Sequence, residues 1–277
     1  MQITGKGNTT YILLSGVEVS ENLRLSENIE LLPADTSHLD FNTAVSTCTR
    51  PDDIAVVAAF IPRITSQFRI VAPTPKDLAV HAWNSSWDAL LLSALFHTEI
   101  GFNLQSDVPA EEIGAGSKLR ATNLHMYGIT NIHPHKLTSE ESKWISSNFN
   151  DARQLLKYER FQTAVHCLAS YRWHTMPRIK LAVLWAGIEG LFGVSSEIRF
   201  RISLYIAKFL HQDDSEKRKL AFDTVKRLYN SRSAAVHGSK IKGDIDTAVE
   251  ESAKILQNIL LQCVNKKSMP NENELVP

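Results

Sequence analysis

Residues 178–193 read Arg-Ile-Lys-Leu-Ala-Val-Leu-Trp-Ala-Gly-Ile-Glu-Gly-Leu-Phe-Gly. Apolar side chains stand at Ile179, Leu181, Ala182, Val183, Leu184, Trp185, Ala186, Ile188, Leu191 and Phe192, so a helix built from this stretch has almost no polar side. Such a helix has to be surrounded by others, as the central member of a bundle is. Gly193 follows where a glycine can stop it. The flanking segments supply the neighbours. Thr138-Ser-Glu-Glu, with Glu141 three residues after Thr138, opens an amphipathic run to about Leu156 with a capping box. A second helix is expected over about 158–173, and another from Ser196 to about His211. One more begins near Asp214 and carries Leu220, Ala221, Phe222, Val225, Leu228 and Tyr229 on one face. The last, Asp244 to about Val264, repeats apolar residues at the three-and-four spacing of a packed helix. Residues 136–268 therefore predict an all-helical bundle, with 269–277, MPNENELVP, as a frayed tail.

Upstream the texture changes. Short apolar runs at Tyr11–Leu14, Ile29–Leu32, Ile54–Ile61 and Phe68–Ala72 alternate with turn-rich stretches and predict strands joined by loops. One helix interrupts them from Pro75 to about Thr98, with Asn84-Ser-Ser as its weak point, and a further pair of strands is expected within 118–132. The fold class expected is α+β: a β-rich N-terminal domain over 1–135 with a sensing or substrate-recognition role, then the helical bundle.

Composition narrows the classes. With 43% hydrophobic and 22% charged residues the 277-residue chain belongs with globular proteins and needs no staples. Thirty basic side chains balance thirty acidic ones, which taken alone speaks against a nucleic-acid protein, but the balance hides an asymmetry. Residues 1–150 hold 10 basic and 16 acidic side chains, whereas 199–242 hold 11 basic and 4 acidic. Three widely spaced cysteines, Cys48, Cys167 and Cys263, suggest neither a disulfide framework nor a zinc site, and a reducing cytoplasm fits them. No stretch reaches the ~20 apolar residues of a membrane span, and no signal-peptide core opens the chain, so no membrane partner is expected. Phosphate-loop, dinucleotide and nucleophile-elbow motifs are missing. His133-Pro-His135 has no carboxylate or cysteine at ligand spacing and is expected to be a linker; no metal and no cofactor are expected.

The most informative segment is residues 226–238, Lys-Arg-Leu-Tyr-Asn-Ser-Arg-Ser-Ala-Ala-Val-His-Gly, where four residues separate Arg232 from His237 at the end of a basic amphipathic helix. RSAAVHG preceded by LYNS resembles the Arg-x4-6-His motif of the HEPN superfamily, and in particular its Apea-like branch. LAVLWAGIEGLFG, 181–193, is similar to that branch's preceding helix with its single glutamate, and EIRFRISLYIAKFL, 197–210, to its arginine-bearing helix. The resemblance covers about 140 residues and is strongest over 181–240; GVEVSENLRLSENIELLP near the N-terminus resembles β-rich regions attached to some members. It implies a metal-independent endoribonuclease, widespread in phage defence and toxin systems, with RNA as substrate, transfer RNA among the candidates. A homodimer and a phage-derived trigger or regulatory partner are implied with it.

The implied chemistry suits the residue types. RNA carries its own nucleophile, the 2′-OH; one group removes its proton, another stabilises the charge on the phosphorane, and the products are a 2′,3′-cyclic phosphate and a 5′-OH. Histidine exchanges protons near neutrality. Arginine stays charged and presents a planar fork to two phosphate oxygens. The spacing constrains them: five residues turn an ideal helix by about 500°, so Arg232 and His237 point roughly 140° apart, with ~7.5 Å of rise between them. Either the last turn unwinds before Gly238, or a two-fold dimer brings two Arg-His pairs around one phosphate, the family's arrangement. Glu189, Ser233 and Tyr229 are supporting candidates. Glu189 needs a cationic partner, with Arg199, Arg201 and Arg232 available. Lys226, Arg227, Arg199, Arg201 and Lys240 are candidates for holding an RNA backbone. The plain alternative is that Arg232 and His237 only cap a helix, and that the fold binds RNA, a nucleotide or a protein without catalysis.

Overall fold

The computed structural model describes residues 7–48, 50–125 and 133–275. They fall into two compact units, one within Met1–Leu92 and Thr98–Asn150, the other within Ser93–His97 and Asp151–Pro277.

The first unit is built on strands β1 (Thr9–Ser15), β2 (Val17–Glu18), β3 (Leu23–Arg24), β4 (Ile29–Pro33), β5 (Ile64–Val71), β6 (Gly101–Ser106), β7 (Leu119–Ala121) and β8 (His135–Lys136). Six of them form an antiparallel sheet in the order β3-β4-β5-β1-β6-β7. Its centre is covered on both faces, since Leu13 and the opposed Ile12 and Leu14 are all buried. Helices α1 (Phe41–Ser46) and α2 (Pro51–Phe60) pack with one face, where Ala44, Val56, Val57 and Phe60 join Leu13, Leu104, Leu119 and Ala121 in one apolar cluster. Helix α2 overturns the strand expected at Ile54–Ile61. Pro51 at the first helical position and Asp52 and Asp53 in the first turn favour a helix, and they outweigh the β-branched composition. Asp53 is fully buried and accepts from the Ala121 N–H (3.1 Å) and the Arg50 guanidinium (2.8 Å).

Helix α3 (Pro75–Leu95) runs unbroken through Asn84-Ser-Ser, where the Ser85 and Ser86 hydroxyls donate back to the Ala82 and Trp83 carbonyls at 2.8 Å instead of competing for backbone N–H groups. Of the strand pair expected within 118–132, β7 is found; residues 126–132 lie outside the described ones. His133-Pro-His135 is no mere linker: His135–Lys136 pairs in parallel with Val17–Glu18, and the His135 ring lies 3.0 Å from a Glu141 oxygen. This pairing ties the chain to the first unit past residue 135. The boundary expected at 135/136 consequently falls about 15 residues later, within α4 (Ser139–Leu155), whose Thr138–Glu141 capping box forms in both directions (2.8 and 3.2 Å).

The second unit holds α5 (Glu159–Ser170), α6 (Pro177–Phe192), α7 (Ile198–Leu210), α8 (Ser215–Val236), α9 (Ile245–Lys266) and the short α10 (Glu272–Leu275). Helix α6 touches α5, α7, α8 and α9, the central position its apolar surface predicts. Trp185 is fully buried, and its indole N–H donates to the Ser252 hydroxyl on α9 (3.1 Å). Gly187 lets α5 and α9 close in: a Cβ there would stand 3.0 Å from the Cys167 Cβ and 3.2 Å from Leu256. Gly193 ends α6 at φ +65°, a left-handed residue that glycine adopts without strain. Of the tail expected to fray, residues 269–275 are held instead, because Leu275 is buried and Glu272 bonds Arg201 and Tyr205 on α7, and 276–277 lie outside the described residues. No described helix is long and apolar enough to cross a membrane.

Candidate functional site

Helix α8 starts at an Asp214 cap, whose side chain accepts from the Lys217 N–H (2.9 Å), and runs regularly to Val236. His237 is the residue that caps it, its N–H donating to the Ser233 carbonyl (3.0 Å) before Gly238 turns the chain at φ +73°. The last turn therefore does not unwind, and Arg232 and His237 keep the angular separation of a regular helix, roughly 140°.

Arg232 faces inward. Its Nη2 donates to Glu189 Oε2 on α6 (3.0 Å), and Nε lies 2.9 Å from Oε1, an ion-pair contact whose N–H is not aimed at the oxygen. Side-chain exposures of 22% for Arg232 and 23% for Glu189 place the pair half in the protein, where charge is costly alone and tolerable in company. Burial lifts the Glu189 carboxyl above its ordinary range, against the downward pull of Arg232. Of the three arginines open to Glu189, Arg232 is thus the partner. Tyr229, one turn earlier, carries the Arg232 guanidinium 5.7 Å from its ring centre and meets Trp185 edge-on at 5.4 Å, so it is a packing wall beneath the arginine. The Arg232 Nη1 has no hydrogen bond to a described residue and is the remaining corner of the fork.

His237 is different in kind: its side chain is exposed, with no hydrogen-bonding partner among the described residues. The turn that carries it is fixed from α6 by Arg178, whose Nη1 donates to the Ala234 (2.9 Å) and Ala235 (3.3 Å) carbonyls and whose Nη2 donates to the Ser239 carbonyl (2.9 Å). One guanidinium therefore satisfies two carbonyls of the last turn and one beyond it, straddling His237. Sequence reasoning missed Arg178. The only signal was a cation just inside the start of α6, a place where the helix dipole gives it no local reason to be.

The remaining candidates divide. Arg227 and Lys240, with Asn230, Ser231, Ala234 and Lys242, line a groove of about 260 Å³. Arg227, Asn230 and Ala234 lie about 140–160° round α8 from Arg232, so this groove is on the side of the helix away from the ion pair. Arg227 also pairs with Glu251 (2.8 Å), and Lys226 stands 5.6 Å from the Phe222 ring centre. Exposed Arg199 reaches Asn230 Oδ1 (3.4 Å) and so borders the groove residues. Arg201 is engaged within the chain, held by Glu272 (2.6 Å), the Ser196 hydroxyl (3.0 Å) and the Tyr205 hydroxyl (3.1 Å). Ser233 contributes its carbonyl to the cap.

Set beside family models, curated proteins and solved structures, the chain matches none of them.

Proposed function

We propose that this chain is a metal-independent endoribonuclease of the HEPN type. The carrying observation is that one helix end presents two groups prepared for different tasks. Arg232 is a permanently charged fork oriented by Glu189, with its Nη1 corner unengaged among the described residues. His237 is an exposed imidazole on a turn that Arg178 fixes. In the proposed reaction His237 takes the proton from a ribose 2′-OH, the oxygen attacks the adjacent phosphorus, and Arg232 stabilises the charge that develops on the phosphoryl oxygens. The P–O5′ bond then breaks, and the departing 5′-oxygen takes a proton from the imidazolium or from water to leave as a 5′-OH beside the 2′,3′-cyclic phosphate. Glu189 touches no substrate in this scheme and is a positioning residue. The groove of Arg227, Lys240 and Lys242, with Arg199 at its border, holds the flanking backbone.

Because the two groups diverge on a regular helix, one chain does not aim both at a single phosphate; a homodimer supplies the complement. Met176, Ile179 and Val236 support that assembly, being 59%, 44% and 49% exposed and flanking Arg178 and His237 in sequence. By the resemblance of 181–240 to its superfamily, the activity belongs to antiviral abortive infection or a toxin-like role in the cytoplasm, with a phage-derived trigger. The same divergence favours a second reading, a HEPN-fold module that binds RNA, a nucleotide or a protein without cutting. Incubation of the purified chain with transfer RNA in EDTA separates the two. Cleavage leaving 2′,3′-cyclic phosphate ends is expected, and intact RNA or 3′-OH ends would refute the nuclease.

A further inference from the structure

The segment 271–275, Asn-Glu-Asn-Glu-Leu, is acidic and sits on one of the most basic parts of the chain. Glu272 places Oε1 2.6 Å from Arg201 Nη2 and 3.0 Å from the Tyr205 hydroxyl, while the Arg201 guanidinium lies 5.6 Å from the Tyr205 ring centre. One turn further along α7, a cavity of about 210 Å³ is lined by Lys208, Arg218 and Lys266 together with Phe209, Gln212, Asn271, Glu274 and Leu275. Among the described residues, three cations from α7, α8 and α9 thus share this cavity with a single carboxylate, that of Glu274. Lys266 lies 5.3 Å from the Phe209 ring centre and 3.3 Å from Gln212 Oε1, and Arg218 donates to the Gln212 carbonyl (2.8 Å), so two of the cations are held in place rather than swinging in solvent. Buried Leu275 is the apolar pin of the segment.

A surface of spaced cations beside aromatic rings, with carboxylates resting on it, has the chemistry of a phosphodiester-binding face with an internal stand-in for the phosphates. We propose that Arg201, Lys208, Arg218 and Lys266 form a second RNA-backbone surface, separate from the groove on α8, and that Glu272 and Glu274 occupy it as an intramolecular competitor. RNA then displaces the 271–275 segment, and the segment sets the threshold concentration at which RNA engages. The half-exposed Arg201–Glu272 ion pair is individually weak and Glu274, bonded to Asn271 (3.1 Å), only lines the cavity, so a polyanion that offers several phosphates at once can replace the two carboxylates. The identity of the polyanion rests on the proposed function; the competition between segment and polyanion does not.

The test measures binding of a fluorescein-labelled 20-nucleotide oligouridylate by polarisation across a salt series, in a full-length His237→Ala background so that binding is read apart from cleavage. Glu272→Gln with Glu274→Gln is expected to tighten binding about threefold to tenfold and to steepen the dependence of log affinity on log salt. Leu275→Ala, which frees the segment without changing charge, is expected to tighten it in the same direction. Adding Lys208→Gln and Lys266→Gln is expected to remove the gain. Unchanged affinity in both segment variants, or a gain that survives loss of the two lysines, overturns the proposal. Degradation of the oligonucleotide in the His237→Ala background would count against His237 as the proton-transfer group, and the comparison is then read on the 2′-O-methyl oligouridylate, which lacks the 2′-OH nucleophile.

Discussion

A guanidinium and a carboxylate that share a partly buried site stand or fall together. Removing the Glu189 charge leaves Arg232, 22% exposed, without its counter-ion, and the desolvation cost is then uncompensated. Glu189→Gln should lower stability by about 1–3 kcal/mol in urea unfolding. Replacing both residues by apolar side chains of similar volume should recover much of that loss while abolishing cleavage, which separates the structural effect from the catalytic one. His97 gives a pH signature. Its ring stacks on Tyr171 (6.1 Å between centres, 14° between planes), with Nε2 3.0 Å from the Tyr171 hydroxyl. Burial first, then the charges of Arg172 and Lys254, pull its pKa down to about 4 from 6.5. In the unfolded chain the imidazole takes a proton around pH 6.5; in the folded protein it resists until about pH 4. Unfolding therefore gains protons as the pH falls through this window, and stability present above pH 6.5 is lost towards pH 4. His97 also has φ +51°, a conformation asparagine tolerates, so His97→Asn should flatten the fall in melting temperature between pH 7 and pH 5.

Helix α6 carries the packing, and its glycines show where. Gly187→Ala inserts a methyl 3.0 Å from the Cys167 Cβ and 3.3 Å from the Ala164 Cα, and should cost about 1–3 kcal/mol. Gly190, three residues on, has nothing within 4 Å of a built Cβ, so Gly190→Ala should stabilise by about 0.5–1 kcal/mol. Thermal unfolding of the two variants checks both signs at once. These helices were legible in the sequence because periodicity, caps and Gly193 all agreed. Elements with conflicting signals were not. Helix α2 hid behind Ile54, Val56 and Val57, whose β-branching argued for a strand. Strand β6 was missed because Asn103, Gln105 and Ser106 are polar yet buried, satisfied by partners far along the chain such as the Thr10 hydroxyl, 2.9 Å from Gln105 Nε2. At the candidate site, Arg232, His237 and Glu189 were singled out through the resemblance of 181–240 to the Arg-x4-6-His motif. That Glu189 selects Arg232, that Arg178 clamps the α8 end, and that Arg201 belongs to Glu272 depend on which helices meet, which no local pattern encodes.

For the molecule as a whole, the sheet unit is the acidic part and the helical unit holds the basic stretch of residues 199–242, so RNA should engage the helical unit first. Cleavage, binding and assembly then separate by residue. In the proposed reaction Arg232 acts on the phosphate and is oriented by Glu189, the groove cations act on the backbone, and His237 acts on one proton alone. One imidazole adds little to a contact dominated by several lysines and arginines, so its removal isolates the chemical step. The decisive measurement is the single-turnover cleavage rate of His237→Ala on transfer RNA in EDTA, read beside its RNA affinity at fixed salt. The nuclease account predicts cleavage lowered by at least about a hundredfold with affinity within about twofold of the parent. Cleavage at the parental rate would contradict it and leave Arg232 and His237 as the end of a helix.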